Sequence, residues 1–278
     1  MSRIQQLGHE RRRQIYDYVE RRGAVESITV RQNVLIRPQS SSKPARSGPD
    51  LDPSVPMPFD EFDQHVSTLK EDGYLEEHEG KLRVALPMAT DPTTVELDTD
   101  TDSDEAEGEG DATEGVVRPA RQEDIGGIVG VVETVAADEG YVVARRLART
   151  VDRDDVLVRH NERENRVFFV ATVDDEAVGW LHVEAVHAPM MDHTAELTVG
   201  ILEAYRDNGL GSTLMDRGLD WAREQGYQKV YQNLPATNER AIEFLEDEGW
   251  AVESTRKGHY CVDGELVDEV QLAIWLDE

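Results

Sequence analysis

An α+β fold, with a mixed sheet flanked by helices, is predicted by three features of the sequence. Runs such as VFFVATVDDEAVGWLHVEAV, AELTVGI and KVYQNLP are short, apolar and rich in β-branched or aromatic residues, as strands are. Between them lie stretches of helical spacing that stop at glycines, notably Gly226 and Gly249. A run from 91 to 115 holds no Lys or Arg and almost no apolar residue after Leu97, which divides the chain into two modules.

At 278 residues the chain has room for two domains, and 38% hydrophobic content supplies their cores. Acidic residues number 58 against 29 basic, leaving a net charge of −29, and lysine is scarce. The excess spreads over both halves, which resembles the cytosolic proteins of salt-loving archaea. Molar salt screens the self-repulsion that such a charge creates. A single cysteine, Cys261, excludes an internal disulfide and multi-cysteine metal sites. No stretch reaches the roughly 18 apolar residues of a membrane span. MSRIQQLGHERRR lacks the apolar centre of a signal peptide, so a soluble cytoplasmic protein is expected.

The first module, 1–88, opens with a helix over 6–22 that places Leu7, Ile15, Tyr18 and Val19 near helical spacing. A second helix is expected at 58–71, with Phe59, Phe62, Val66 and Leu69 on one face. YLEEHEGKLRVAL then reads as a hairpin turning at Glu79-Gly80. Helices followed by a hairpin resemble a winged helix-turn-helix module, but a Ser- and Pro-rich insertion occupies the place of its middle helix. The acidic segment 89–115 cannot bury enough surface to offset its ordering entropy and is expected to be a disordered linker.

The second module, 116–278, alternates in type. VVRPA is a strand, DIGGIVGVVETVAADE a helix, and ARRLARTVDRDDVLVRH helical. Two strands follow, turning at Asp174-Asp175; AELTVGI is the fourth strand, and 211–225 a helix. KVYQNLP, a helix from Asn238 to Glu248, and a hairpin turning at Asp263-Gly264 complete it.

The junction YRDNGLGS, between AELTVGI and the 211–225 helix, has the chemistry of an anion cradle. A helix start offers unpaired N–H groups and the positive end of its dipole. Gly209 and Gly211 lack Cβ atoms, so an anion could approach the main chain closely. Arg206 adds a cation, and Ser212 and Thr213 add hydroxyls. The spacing matches neither a Walker A loop nor a dinucleotide fingerprint.

The turn R-x-x-G-x-G (Arg206, Gly209, Gly211), then Asn238, Ala241-Ile242 and Gly249-Trp250, resembles the GNAT superfamily of CoA-dependent N-acyltransferases over about 118–277. The resemblance implies a sheet splayed between its fourth and fifth strands. It implies that the main chain of Val199, Gly200 and Ile201 pairs with the pantetheine arm of acetyl-CoA. Arg206, Asp207, Asn208, Gly209, Leu210, Gly211 and Ser212 would hold the diphosphate, and Asn238 would contact the pantetheine end. The co-substrate would be acetyl-CoA, with no metal.

Aminolysis of a thioester needs a neutral amine, oxyanion stabilisation and a proton for the leaving thiolate. Many relatives supply that proton from a tyrosine whose position here is Leu245, beside Phe244. A carboxylate used by some relatives falls at Asn233. Glu196 is then the expected base, unless it is an ion-paired strand carboxylate. Tyr260 is the candidate acid, unless it only packs. A thiolate is a good enough leaving group that a dedicated acid is dispensable. The loop 187–194 is expected to border the acceptor site; His187 and His193 have no evident third ligand, and His182 lies nearby.

The implied activity is acetyl transfer to a primary amine of a small molecule, amino acid or peptide, in a homodimer or a monomer. The alternative is a transcriptional regulator whose C-terminal domain senses acyl-CoA without turnover. Residues 1–88 could contact DNA or protein. The 58–72 stretch carries Asp60, Glu61, Asp63, Glu71 and Asp72 against Lys70 alone, which disfavours DNA. Arg11 to Arg13, Lys81 and Arg83 are the better phosphate contacts.

The charge balance predicts that the urea midpoint rises from dilute buffer to molar KCl by more than sulfate-type exclusion on a neutral protein would give. Equilibrium unfolding monitored by tryptophan fluorescence measures this, and a midpoint independent of KCl contradicts it.

Overall fold

A computed structural model describes residues 7–36, 54–86, 91–97, 113–138, 142–154, 156–186, 188, 190–262 and 264–276. The chain divides into two compact units, Met1–Pro87 with His160–Glu162, and Met88–Arg159 with Arg163–Glu278.

The first unit holds α1 (Glu10–Arg22), β1 (Val25–Glu26), α2 (Ser27–Asn33), β2 (Leu35–Ile36), β3 (Val55–Pro56), α3 (Phe59–Glu71), β4 (Leu75–His78) and β5 (Lys81–Val84). Its core is Ile15, Tyr16 and Val19 of α1, Val30 of α2, Phe62, Val66 and Leu69 of α3, and Leu75 and Leu82 of the hairpin. Two expectations change. Tyr16, not Tyr18, is the buried tyrosine of α1, because Ile15 and Val19 set the face and position 16 sits beside that stripe. Phe59 is 64% exposed at the first turn of α3. The short α2 lies just ahead of the Ser- and Pro-rich insertion, where no middle helix was expected; its seven residues gave too few turns to show a period. Arg11 pairs with Glu61. Arg83 pairs with Glu76 at 2.6 Å, so two of the expected phosphate contacts have carboxylate partners.

The second unit comprises β6 (Thr93–Leu97), β7 (Thr113–Pro119), α4 (Ile125–Asp138), α5 (Val142–Asp154), β8 (Arg159–His160), β9 (Glu164–Val173), β10 (Glu176–Val186), β11 (Thr194–Ile201), α6 (Leu210–Glu224), β12 (Lys229–Pro235), α7 (Glu239–Asp247), β13 (Ala251–Val262) and β14 (Glu265–Trp275). Its sheet runs β13-β14-β12-β11-β10-β9-β7-β6, with β8 beside β9. Every pairing along that order is antiparallel except β11 with β12.

The segment expected to be a disordered linker is strand at both ends. Thr93–Leu97 pairs with Val117 back to Thr113, and Leu97 is buried. The β-branched TTV and its alternating exposure make this strand; the acidic composition of the whole run hid it. The residues between, 98–112, lie outside the described residues.

Helices cover both faces of the sheet. Gly218 of α6 lies against Leu181 of β10, where an added Cβ would meet Leu181 Cδ2 at 2.5 Å. On the other face Gly127 of α4 approaches Ala177 Cβ, and α5 packs beside α4. A register shift between Ala177 and Gly179 puts these two neighbours on opposite faces. Trp180, fully buried on the α4 side, lies across Gly200 of β11, whose hydrogen leaves room that a Cβ at 2.3 Å from the indole would not.

Gly179 is equally constrained: a Cβ there would fall 2.2 Å from Ile201 Cδ1 and 3.1 Å from the Gly200 carbonyl. Gly179→Val is therefore expected to cost about 1–3 kcal/mol of stability by overpacking. Gly130→Ala, in α4 with open space around it, should be neutral or stabilise by up to about 1 kcal/mol. Urea unfolding of the two variants checks the contrast, and equal midpoints would refute it.

Candidate functional site

Parallel strands β11 and β12 pair through only three positions, Thr194 with Lys229, Ala195 with Val230 and Glu196 with Tyr231. Beyond them both strands continue, β11 to Ile201 and β12 to Pro235, without pairing to each other. Along its other edge β11 stays paired to β10 as far as Ile201. Alternate N–H and C=O groups of 197–201 thus face a gap rather than a neighbouring strand.

A cavity of about 740 Å³ follows that gap. Val199, Gly200 and Ile201 line it from β11, Gln232 from β12 and Val135 from α4. At its other end it reaches Arg206, Asp207, Gly209, Gly211 and Ser212, at the start of α6. This is the junction expected to form a cradle. Gly209, at φ +78°, is the N-cap of α6, and Asp207 is also left-handed at +63°. The first intrahelical bond is donated by Thr213 N to the Gly209 carbonyl, at 2.9 Å. Helix geometry leaves the N–H groups of 210 to 212 without such partners. Arg206 is anchored by Nε donating to the Ile201 carbonyl at 2.9 Å, and Asn208 holds the turn by donating to the Arg206 carbonyl. The Ser212 hydroxyl donates to Glu248 Oε1 at 2.5 Å, tying the start of α6 to the end of α7.

Three of the expected binding residues, Asn208 of the turn, Leu210 and Asn238, do not line the cavity. Leu210 is buried beneath Gly115 and belongs to the core. Asn238 is buried as the N-cap of α7, its Oδ1 accepting from Ala241 N at 3.2 Å, and it is absent from the cavity lining. Its effect on the site runs through α7, which presents Arg240, Ala241, Phe244 and Leu245 to the cavity. Phe244 lies against Gly211, 3.4 Å from where a Cβ would stand. Leu245, at the position to which the sequence resemblance assigned a tyrosine, is an apolar wall.

On the α4 side of the sheet a second cavity, of about 360 Å³, opens where the pairing of β11 and β12 ends. Glu196, Tyr231, Asn233 and Gln271 line it. Asn233 Nδ2 donates to Glu196 Oε1 at 3.3 Å, and Gln271 Nε2 donates to Asn233 Oδ1 at 3.2 Å, so the floor is a hydrogen-bonded row. Burial pushes the Glu196 carboxyl above the usual carboxylate range, against a smaller downward pull from Asn233. Glu184, opposite it on β10, is raised mainly by burial and then by Glu164. Tyr231 is raised by burial and by these two carboxylates, so its phenol keeps its proton.

Tyr260 is not among the residues lining either cavity. It is buried on β13, its hydroxyl donating to Glu269 Oε2 at 2.5 Å; burial and that bond raise its pKa well above the phenol range. Arg256 also binds Glu269. Tyr260 therefore braces Glu269. The tyrosine that sequence reasoning passed over is Tyr231. Its signal was its place on KVYQNLP, two residues before Asn233.

Of the three histidines, His182 is buried, with its ring 4.6 Å from that of Phe168; burial holds its pKa well below the usual value, so it stays neutral. His193 is exposed, and its carbonyl accepts from Gln228 N and Lys229 N. His187 lies outside the described residues.

The acetyltransferase (GNAT) family matches residues 137–250, less than half of the chain. N-alpha-acetyltransferase 50 of Danio rerio is 27% identical over 92 residues, covering 33% of this chain and 55% of its own length. The chain thus spans about half of that relative. YwnH of Bacillus subtilis, assigned as a phosphinothricin acetyltransferase, is 25% identical over 154 residues, covering 55% of this chain and 93% of its own. The structure of yncA from Salmonella typhimurium, solved with its cofactor acetyl-CoA, superposes with a TM-score of 0.50 at 17% identity, over 59% of this chain and 95% of that one. The divergent strands and the α6 cradle therefore lie in a GNAT acetyltransferase domain, carried by the C-terminal part of the chain at residues 137–250.

Proposed function

We propose that this domain transfers an acetyl group from acetyl-CoA to a primary amine of a small molecule, amino acid or peptide, by direct attack. The observation that carries the reading is the divergence of β11 from β12, continuous with the cavity that ends at the start of α6. The residues fit the coenzyme. Backbone groups of Val199 to Ile201 can pair with an amide-bearing arm as an added strand would. Gly209 and Gly211 leave the main chain bare, and the first-turn amides and Arg206 suit a diphosphate. When bound, acetyl-CoA supplies an acetyl group already activated as a thioester.

The chain's own residues handle the protons. Glu196, its pKa raised by burial, takes the proton of the incoming ammonium, directly or through one water. Tyr231 lines the same cavity and keeps its phenol proton, which it could donate to a leaving thiolate. Tyr260 and Glu269 keep Arg256 in place at the cavity's far wall.

A second reading rests on Leu245: without the usual tyrosine, the domain would sense acyl-CoA without turnover. The first unit, which among the described residues holds three helices and a sheet ordered β1-β5-β4, would then act as a winged-helix-like reader of DNA. Thiol release on amines favours transfer. Saturable CoA binding with no product and retarded DNA favours the regulator.

Gly211→Val would place branched methyls in the cradle and against Phe244, and is expected to weaken acetyl-CoA binding by at least about tenfold. Calorimetry at molar KCl reads this, and unchanged affinity contradicts the cradle. Glu196→Gln should lower kcat by about 10²–10⁴-fold while acetyl-CoA still binds. Wild-type activity should fall as pH drops through the raised Glu196 pKa, because the carboxylate is the active form. That acid limb should vanish in the variant, and a limb that persists would assign the base elsewhere.

A further inference from the structure

We infer that the donor site reads the diphosphate of acetyl-CoA and not its ribose phosphate, and that Glu243 and Asp247 bias it toward dephospho-acetyl-CoA. The inference rests on the acetyl-transfer reading and concerns the acyl donor rather than the acceptor.

α7 is fastened alongside the start of α6 at both of its ends. In its first turn Arg240 Nη2 lies 2.8 Å from Asp207 Oδ2, in the turn that precedes α6. Just past its last turn Glu248 accepts from the Ser212 hydroxyl at 2.5 Å. Between these ties Phe244 lies against Gly211. One side of α7 therefore runs along the cradle. Glu243 and Asp247, about one helical turn apart, line the cavity from that side.

The charges of this lining do not suit a polyanion. Its cations are Arg206 and Arg240, and its carboxylates are Asp207, Glu243 and Asp247. Arg206 and the first-turn amides of α6 make a matching set for one diphosphate. The charge of Arg240 is already matched by Asp207. A phosphate monoester adds about 1.5 to 2 negative charges near neutral pH. Among the described residues the lining holds no third cation for it, and Glu243 and Asp247 repel it. The net charge of −29 on the whole chain acts in the same direction.

Glu243 and Asp247 are exposed, so their repulsion crosses solvent. Such an interaction reaches about 10 Å in 0.1 M salt and about 3 Å in 1 M. Hydrogen bonds from the amides of α6 act at contact and survive that screening. Selectivity against the monoester is thus largest at low salt and fades in molar KCl, while the grip on the diphosphate remains.

The test measures, by calorimetry on the full chain, the Kd of acetyl-CoA and of dephospho-acetyl-CoA. Both are read at the lowest KCl concentration at which tryptophan fluorescence reports a folded chain, and again in molar KCl. At the lower salt dephospho-acetyl-CoA should bind tighter by about threefold or more, and in molar KCl the two constants should agree within about twofold. The double variant Glu243→Gln, Asp247→Asn should bring the ratio of the constants close to one at the lower salt, and Glu243→Gln alone should move it the same way. The variant Glu176→Gln, Glu265→Gln, which removes the same charge from exposed positions outside the lining, should leave the ratio unchanged. Tighter binding of acetyl-CoA at the lower salt overturns the proposal, as does a ratio that the Glu243 and Asp247 variants leave unchanged. Those results leave acetyl transfer standing. Binding of neither donor at either salt removes the cradle, and this proposal with it.

Discussion

Pairing between β11 and β12 ends at Glu196 and Tyr231, and the backbone beyond that point must satisfy its N–H and C=O groups by other means. A closed sheet would do so with its neighbour and leave no route through the layer. Here the strands part, and α6 begins just beyond the end of β11. One geometric event therefore produces three things: a free strand edge, a cavity along it, and a helix N-terminus at the end of that cavity. An extended, amide-bearing ligand with an anionic end has the matching chemistry.

The two faces of the sheet divide the work. Toward α6 and α7 the cavity is walled by backbone, glycine and the apolar Phe244 and Leu245, with Arg206 and Arg240 beside Asp207, Glu243 and Asp247, and Arg240 paired to Asp207. Toward α4 and α5 the strands carry Glu184, Glu196 and Tyr231, all with pKa values raised by burial. These titratable groups raised by burial thus lie on the α4 side of the sheet, where the pairing of β11 and β12 ends. Glu196 and Tyr231 face each other at the last paired position, where the strands begin to part.

Much of this was legible in the sequence because it depends on local signals. The glycines at 209 and 211, the strand before them and the caps at Gly226 and Gly249 fixed the α6 junction to within one residue. The hairpins and their turns at Asp174-Asp175 and Glu79-Gly80 also followed from turn chemistry, all four residues having positive φ. What escaped depends on tertiary partners. Thr93–Leu97 is a strand only because β7 stands beside it, and composition alone reads it as linker. Asn238 matched the motif, but whether its oxygen faces a ligand or caps α7 is decided by three-dimensional placement. Tyr260 and Tyr231 cannot be ranked without register, since it is cross-strand pairing that sets Tyr231 opposite Glu196 and Tyr260 onto Glu269.

The central claim, that the unpaired edge of β11 receives the coenzyme, is most directly tested by amide hydrogen exchange with and without acetyl-CoA. Slowed exchange confined to amides within 197–201 and 209–213 is the predicted result, because ligand carbonyls and phosphate oxygens would take up donors that the sheet and helix leave open. Saturating binding that leaves those two segments exchanging as before, and slows others instead, would contradict it.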